Sequence, residues 1–169
     1  LEYVYATSWG ISTRLIGGLI MTHGDDKGLI LPPRVAPYQV VIVPIWKSEE
    51  EKSEINEFVA KLTNGLKAEQ IRFYYDNREQ ETPGWKFNYY EMKGVPIRLE
   101  VGPKDVAKNQ VVLVRRDPTD IESIGPKQHI PVDNAPTVIK NLLEEIQTNL
   151  FKRAQAFREN NTFQAENYD

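Results

Sequence analysis

Apolar residues recur along this chain in two rhythms. In Gln39-Val40-Val41-Ile42-Val43-Pro44 they are contiguous and β-branched, the pattern of a buried strand. From Ser48 onward they fall three or four apart, and Ile55, Phe58, Val59, Leu62 and Leu66 mark the stripe of an amphipathic helix. Ser48 is placed to cap it, Glu51 stands where a capping box wants a carboxylate, the neighbouring acids favour the positive end of the dipole, and Gly65 lies near its end. Residues 70–75 read as a second strand. Thr82-Pro83-Gly84-Trp85 opens a short helix, with Thr82 as cap and Pro83 in its first turn, and Gly94 stops it. Residues 95–101 and 110–115 predict two more strands. Val138, Ile139, Leu142, Leu143, Ile146, Leu150, Ala154 and Phe157 trace a long last helix, capped by Asp133 or Asn134 and followed by a polar tail, residues 160–169, that is expected to fray. Strands separated by helices predict an α/β layer with a parallel or mixed sheet.

The flanks change this picture. Residues 1–31 read as strand then helix, and Pro32-Pro33 through Pro37 as a stiff linker. The opening Leu1-Glu2-Tyr3-Val4-Tyr5 looks like the middle of a strand, without initiator Met or the charged and apolar regions of a signal peptide, so the chain is expected to be a piece of something longer. Among 169 residues, 21 Lys and Arg face 24 Asp and Glu, a net charge of −3. A surface coated in basic charge is excluded, but a local basic groove is not. The absence of cysteine removes disulfides, Cys-ligated zinc and thiol chemistry from this stretch. No apolar run nears the roughly 20 residues a bilayer demands.

Two segments carry chemistry. In Thr7-Ser8-Trp9-Gly10-Ile11-Ser12-Thr13-Arg14 a glycine turn leads into a helix whose first turn holds an arginine. A guanidinium there is a permanent bidentate clamp for phosphate, and small hydroxyls can bond a ribose, although on chemistry alone an arginine at a helix start is more often a solvated surface charge. The second segment is the short helix at 83–93, where Trp85, Phe87, Tyr89 and Tyr90 alternate with Lys86, Glu91 and Lys93. Splayed RNA bases stack on such rings and bond to such charges. In Ile97-Arg98-Leu99-Glu100-Val101 the alternation puts Arg98 and Glu100 on one exposed face, either as a surface ion pair or as a base-reading surface. Arg115 and Arg116 are candidates for phosphates, and the acidic helix around Glu49 should face away from RNA. Asp25 and Asp26 fit a polar turn better than a metal site, and His23 and His129 receive no role.

Residues 7–14, Ile16-Gly17, Met21-Thr22-His23-Gly24-Asp25-Asp26-Lys27-Gly28-Leu29, Leu31-Pro32-Pro33 and 36–45 resemble prolyl-tRNA synthetases: the third signature motif of the class II synthetases and the passage into the anticodon-binding domain. A second block, Gly84-Trp85-Lys86-Phe87, then Tyr90-Glu91-Met92-Lys93-Gly94-Val95-Pro96-Ile97-Arg98-Leu99-Glu100-Val101-Gly102-Pro103-Lys104-Asp105 and Val114-Arg115-Arg116-Asp117, resembles the same family in the right order. The resemblance implies a mixed five-stranded sheet flanked by helices over residues 36–134. It implies a remnant of a catalytic domain over 1–35 and a long helix and tail over 135–169. It implies that Arg14 is catalytic and binds ATP with Ser12, that Trp9 and Gly10 line a proline pocket, and that Phe87, Glu91, Arg98, Lys104 and Asp105 bind an anticodon. Proline anticodons end in GG; a carboxylate accepts from guanine N1 and N2, and Arg or Lys donates to O6 and N7.

The parent protein is then implied to be a cytoplasmic, homodimeric proline–tRNA ligase that uses ATP and Mg²⁺ and acts on tRNA(Pro). The family's first two signature motifs do not occur here, so this chain alone is expected neither to aminoacylate nor to hold a cofactor or resident metal. A stand-alone RNA-binding module of the same fold is the main alternative, and a nucleotide-binding regulatory domain a weaker one. Residues 7–14 argue against a binding-only module, which has no use for a nucleotide clamp.

Overall fold

The computed structural model describes residues 3–117 and 127–164. Its strands are β1 (Val40–Pro44), β2 (Phe73–Tyr75), β3 (Ile97–Val101), β4 (Gln110–Arg115) and β5 (Lys127–Pro131). Its α-helices are α1 (Arg14–His23), α2 (Glu49–Ala68), α3 (Pro83–Met92), α4 (Pro103–Ala107) and α5 (Ala135–Asn160). The sheet order is β2-β1-β3-β4-β5. β1 runs parallel to both β2 and β3, whereas β4 and β5 are antiparallel to their neighbours, so the sheet is mixed, as the α/β pattern predicts.

The crossover through α2 leads from β1 to one side, and the crossover through α3 returns past β1 to the other. Right-handed crossovers in opposite directions put their helices on opposite faces of the sheet. The packing follows. Val40, Ile42, Ile97, Leu99, Leu113 and Ile130 point to the face covered by the apolar stripes of α2 and α5. Val41 and Val43 point to the other, where Tyr90 of α3 covers them beside Tyr74 and Phe87. α2, with its acidic first turn, therefore lies across the sheet from α3, as expected.

Local chemistry sets the element ends. Ser48 Oγ accepts from the Glu51 N–H at 3.3 Å, but the Glu51 carboxylate accepts from Lys47 N–H at 2.7 Å rather than from Ser48, so the capping box is displaced by one residue. Thr82 caps α3 through the Trp85 N–H at 3.3 Å. Gly94, at φ +72°, turns the chain after α3 where a Cβ would meet the Leu29 backbone at 2.6 Å. Leu29 and Leu31 donate to Met92 and Gly94 there, which seats the approach to the linker on the end of α3. Arg72 fastens the linker itself by donating to the carbonyls of Pro33 (2.9 Å) and Ala36 (3.0 Å).

Several expectations are corrected. Residues 3–11 form no strand, because no described segment pairs with them and a strand needs a hydrogen-bonded neighbour. Leu1, Glu2 and residues 165–169 of the polar tail lie outside the described residues. Gly65 does lie near the end of α2, which closes at Ala68. It is also a notch for α5, since a Cβ there would meet Pro136 Cγ at 2.6 Å, and the chain leaves the helix through a left-handed Gln70. That turn delays β2 to Phe73, and Pro96, lacking an N–H, delays β3 to Ile97. Neither Asp133 nor Asn134 caps α5 with its side chain. Asp133 sits in a 3₁₀ turn and accepts from Asn109 at 3.4 Å. The apolar stripe of α5 outlasts its partner, for Leu150 is buried but Phe157 is 72% exposed.

Candidate nucleic-acid interface

Register determines what stands beside what on the α3 face. Arg98 lies opposite Val114 of β4, and Val114 opposite Lys127 of β5; Glu100 lies opposite Val112, and Val112 opposite His129. With side chains alternating, Arg98, Glu100, Gln110, Lys127 and His129 share this face. α3 packs over β1, and Lys127 and His129 remain exposed. The result is a strip running from α3 across the antiparallel half of the sheet.

The strip is organised by one buried carboxylate. Glu100 is 4% exposed. Its Oε1 accepts from Arg98 Nε (3.2 Å) and a terminal guanidinium nitrogen (3.0 Å), and its Oε2 accepts from Lys127 Nζ at 2.7 Å. Two cations against one anion leave a surplus positive charge at the surface. The Arg98 guanidinium lies 4.4 Å from the centre of the Phe87 ring, and Lys127 Nζ lies 5.8 Å from it. Such stacking holds a planar cation parallel to an aromatic face.

Asp105 and Lys104 stand past the end of β3, on α4. Asp105 Oδ2 accepts from Gly102 N–H at 3.0 Å and Oδ1 from Gln110 Nε2 at 3.3 Å. Gln110 Nε2 is also 3.0 Å from His129 Nδ1. Asp105 is therefore a bonded corner, whereas Lys104 is exposed. At the other end Glu91 lies one helical turn beyond Phe87 on the same side of α3. Its side chain is 33% exposed and 3.5 Å from Lys27 Nζ. The exposed groups of the strip are thus the ammonium groups of Lys104 and Lys127 and the His129 imidazole, with Phe87 and Glu91 half-buried beside them and Arg98 braced on Glu100.

The structure brings Phe87 and Arg98 into direct contact and places Glu91 and Asp105 with Lys104 at opposite ends of the strip. The alternation reading of Arg98 and Glu100 is right in face but not in exposure, because the Phe87 ring of α3 covers Arg98, and Arg98 and Lys127 cover Glu100. The sequence expectations give Lys127 and Gln110 no place in a site, and they weigh His129 but assign it no role. β5 carries one buried residue, Ile130, between the exposed His129 and Pro131, and nothing in Lys127-Gln128-His129-Ile130-Pro131 marks it as a strand.

Other expectations are overturned. Arg115 forms a bidentate pair with Asp117 (2.8 and 2.9 Å) and a third bond to Glu145 at 2.8 Å. Arg116 forms a bidentate pair with Asp25 (2.8 and 2.6 Å) and bonds the Glu91 carbonyl at 2.8 Å. Each arginine side chain is only 6% exposed, so neither is a free phosphate ligand. Asp25 does sit in a turn, accepting from Lys27 N–H at 2.9 Å, and hydrogen bonding from Arg116 holds its carboxyl at about 2.

Lys86 and Tyr90 are not surface RNA ligands either. Lys86 is 2% exposed and its ammonium donates to the carbonyls of Asp76 (3.0 Å) and Arg78 (2.5 Å). Asp76, fully buried, accepts from Tyr90 Oη at 2.9 Å and from Arg78 at 2.8 and 2.9 Å. Burial pushes the Asp76 carboxyl up, but the bonds from Arg78 and Tyr90, with the Lys86 charge, outweigh it and hold the group at about 2. Burial, and then the bond to Asp76, raise the Tyr90 hydroxyl.

Trp9, Gly10, Ser12 and Arg14 form no pocket among the described residues. All four are exposed, Trp9 by 94%, and nothing lies within 4 Å of a Cβ built on Gly10. Arg14 opens α1, where its N–H donates to Ser12 Oγ at 3.4 Å. Residues 3–24 contain no carboxylate, so the Mg²⁺ implied for the parent finds no anionic ligand here. Among the described residues no three His, Asp or Glu side chains gather as a metal site, and no helix is long and apolar enough to cross a membrane.

The chain belongs to the anticodon binding domain family, which it matches over residues 39–142. It is similar to the proline–tRNA ligase of Amoebophilus asiaticus (strain 5a2), 50% identical over 169 residues, covering 100% of this chain and 33% of that protein. The proline–tRNA ligase of Chloroflexus aggregans is 52% identical over 169 residues, covering 100% of this chain and 34% of that protein. Among solved structures it resembles prolyl-tRNA synthetase from Cryptosporidium parvum, complexed with L-proline and AMP. There the TM-score is 0.82 at 41% identity, covering 93% of this chain and 32% of that one. The chain therefore spans about a third of the length of the relatives it matches.

Proposed function

We propose, from this family membership and the charge layout of the strip, that the chain is the anticodon-reading part of a proline–tRNA ligase. Its α3–β3–β5 face holds the two guanines that end a proline anticodon. The observation that carries this reading is the buried Glu100, which aligns Arg98 on Phe87 and leaves Lys127 presented beside them. Phe87 offers an edge or face to a base. Arg98 and Lys127 present donors toward guanine O6 and N7, and Glu91 presents an acceptor toward N1 and N2. Lys104 meets the sugar–phosphate backbone, while Asp105 holds the α4 corner that carries it.

The finer readings belong to the same proposal. Residues 1–35 would end a catalytic domain in which Trp9 and Gly10 face proline, and Ser12 and Arg14 face ATP. Arg14 would stabilise charge as the carboxylate of proline attacks the α-phosphorus. The parent works as a cytoplasmic homodimer with ATP and Mg²⁺ on tRNA(Pro), and this chain alone does not aminoacylate. The test is binding of the chain to a proline-type anticodon stem-loop and to one with both guanines replaced. We expect the first to bind at least tenfold tighter, and equal affinities would defeat the reading.

A further inference from the structure

α3 has a second face, pointing away from the strip. Trp85 and Tyr89, one turn apart, stack with ring centres 4.8 Å apart and planes 17° from parallel. Lys93, one turn further, places Nζ 4.4 Å from the centre of Tyr89. The Arg78 guanidinium is 5.5 Å from Trp85 and 5.6 Å from Tyr89. Nearly equal distances to two stacked rings put Arg78 beside the pair. A guanidinium lying beyond Trp85 would be much farther from Tyr89. Tyr89 therefore occupies one indole face, and no other described aromatic ring, Lys or Arg stacks on the opposite one. Trp85 is 42% exposed.

We infer that the open indole face of Trp85 is a stacking site for a further unpaired RNA base, beyond the two guanines, recognised by its π-face rather than by its edge. The inference rests on the RNA-binding reading above and extends the footprint around α3. Three observations favour RNA over a protein partner. The stack is flanked by cations, Arg78 at its side and Lys93 at its end. Asp76, the acid behind Arg78, is shared with Lys86, so the cluster keeps a surplus positive charge. The site also shares its helix with the strip, since Phe87 of α3 faces the Arg98–Lys127 pair. Base–aromatic stacking of this kind tolerates any base, so the site adds affinity without sequence choice.

The test uses the 169-residue chain, the proline-type stem-loop and the guanine-replaced stem-loop. Trp85→Ala should weaken binding of both RNAs by a similar factor, about 10-fold within a range of roughly 5- to 100-fold. Trp85→Phe should retain most of the affinity while losing the quenching of tryptophan fluorescence that either RNA causes in the unaltered chain. Thermal melts of both variants guard against misfolding. If the unaltered chain prefers the GG loop but Trp85→Ala binds it equally well, the inference falls and the anticodon reading stands. If neither loop is preferred yet Trp85→Ala weakens both, the anticodon reading falls and the stacking site stands. Loss of preference in Trp85→Ala, rather than uniform weakening, would overturn the inference by making Trp85 an edge-reading neighbour of the strip.

Discussion

The two faces of the sheet carry the same strands and opposite chemistry. On the α2–α5 face, Leu99 is fully buried in an apolar cluster, and charge enters at the end of β4, where Arg115 pairs with Asp117 and Glu145. On the α3 face the same strand offers Arg98 and Glu100, and the helix above contributes Lys86 and Tyr90 to a buried cluster with Asp76. Apolar burial is non-directional and stabilises whatever fills the volume. Buried ions are directional and stabilising only when every partner is in place. One face therefore stabilises without regard to direction, and the other stabilises only by fixing the positions of its charged side chains.

That contrast is breakable. Asp76→Ala should be the most damaging change, because it leaves the Lys86 ammonium buried without its counter-charge and the Tyr90 hydroxyl without its acceptor. The expected loss is about 3–5 kcal/mol, read by denaturant unfolding. A loss under about 1 kcal/mol would mean that the polar cluster is not needed to hold α3 down. Leu99→Ala should cost about 2–5 kcal/mol through lost contacts and a cavity, while guanine preference in the protein that remains folded is unchanged. A changed preference would show that the two faces are not independent.

Acid should sharpen the same contrast. The Asp76 carboxyl is held at about 2, below its ordinary 3.8, so the folded state favours the ionised form. The stabilisation is present above about pH 4 and lost as pH falls toward 2, on the order of 2 kcal/mol. Asp25 is shifted in the same direction, but its side chain is 36% exposed, so solvent reduces its contribution. Asp76→Asn should flatten the acid limb of a stability-versus-pH curve, and an unflattened limb would place the acid sensitivity elsewhere.

Smaller effects address the strip. Glu91→Gln should cost about 1–3 kcal/mol in discrimination at one guanine, measured as the ratio of affinities for matched and replaced stem-loops. Lys104→Ala should weaken both loops alike and reduce the salt slope by about 1. If Lys104→Ala changes the ratio and Glu91→Gln does not, the assignment of base and backbone contacts is reversed.

Much of the architecture is legible from spacing alone. The Ile55–Leu66 stripe, the Thr82-Pro83 start and the contiguous valines around Ile42 all give elements where local pattern predicts them. The functional face is less legible. Arg98 and Glu100 can be paired by alternation, but Lys127 enters only through the register of a strand whose sequence carries no strand signal. Arg115 and Arg116 look like surface cations in isolation. Long-range pairing with Glu145 and Asp25 removes them from the surface, and no local pattern announces a partner 30 or 91 residues away.

The amino-acid order by itself determined most of the helices and strands, the apolar stripes and the kinds of charge available, because helix and strand periods are properties of neighbouring residues. Only the tertiary structure decided which charges are free. Whether a cation faces solvent, an aromatic ring or a carboxylate depends on strand register and on which helix covers which face, and both are set by contacts between residues far apart in the chain.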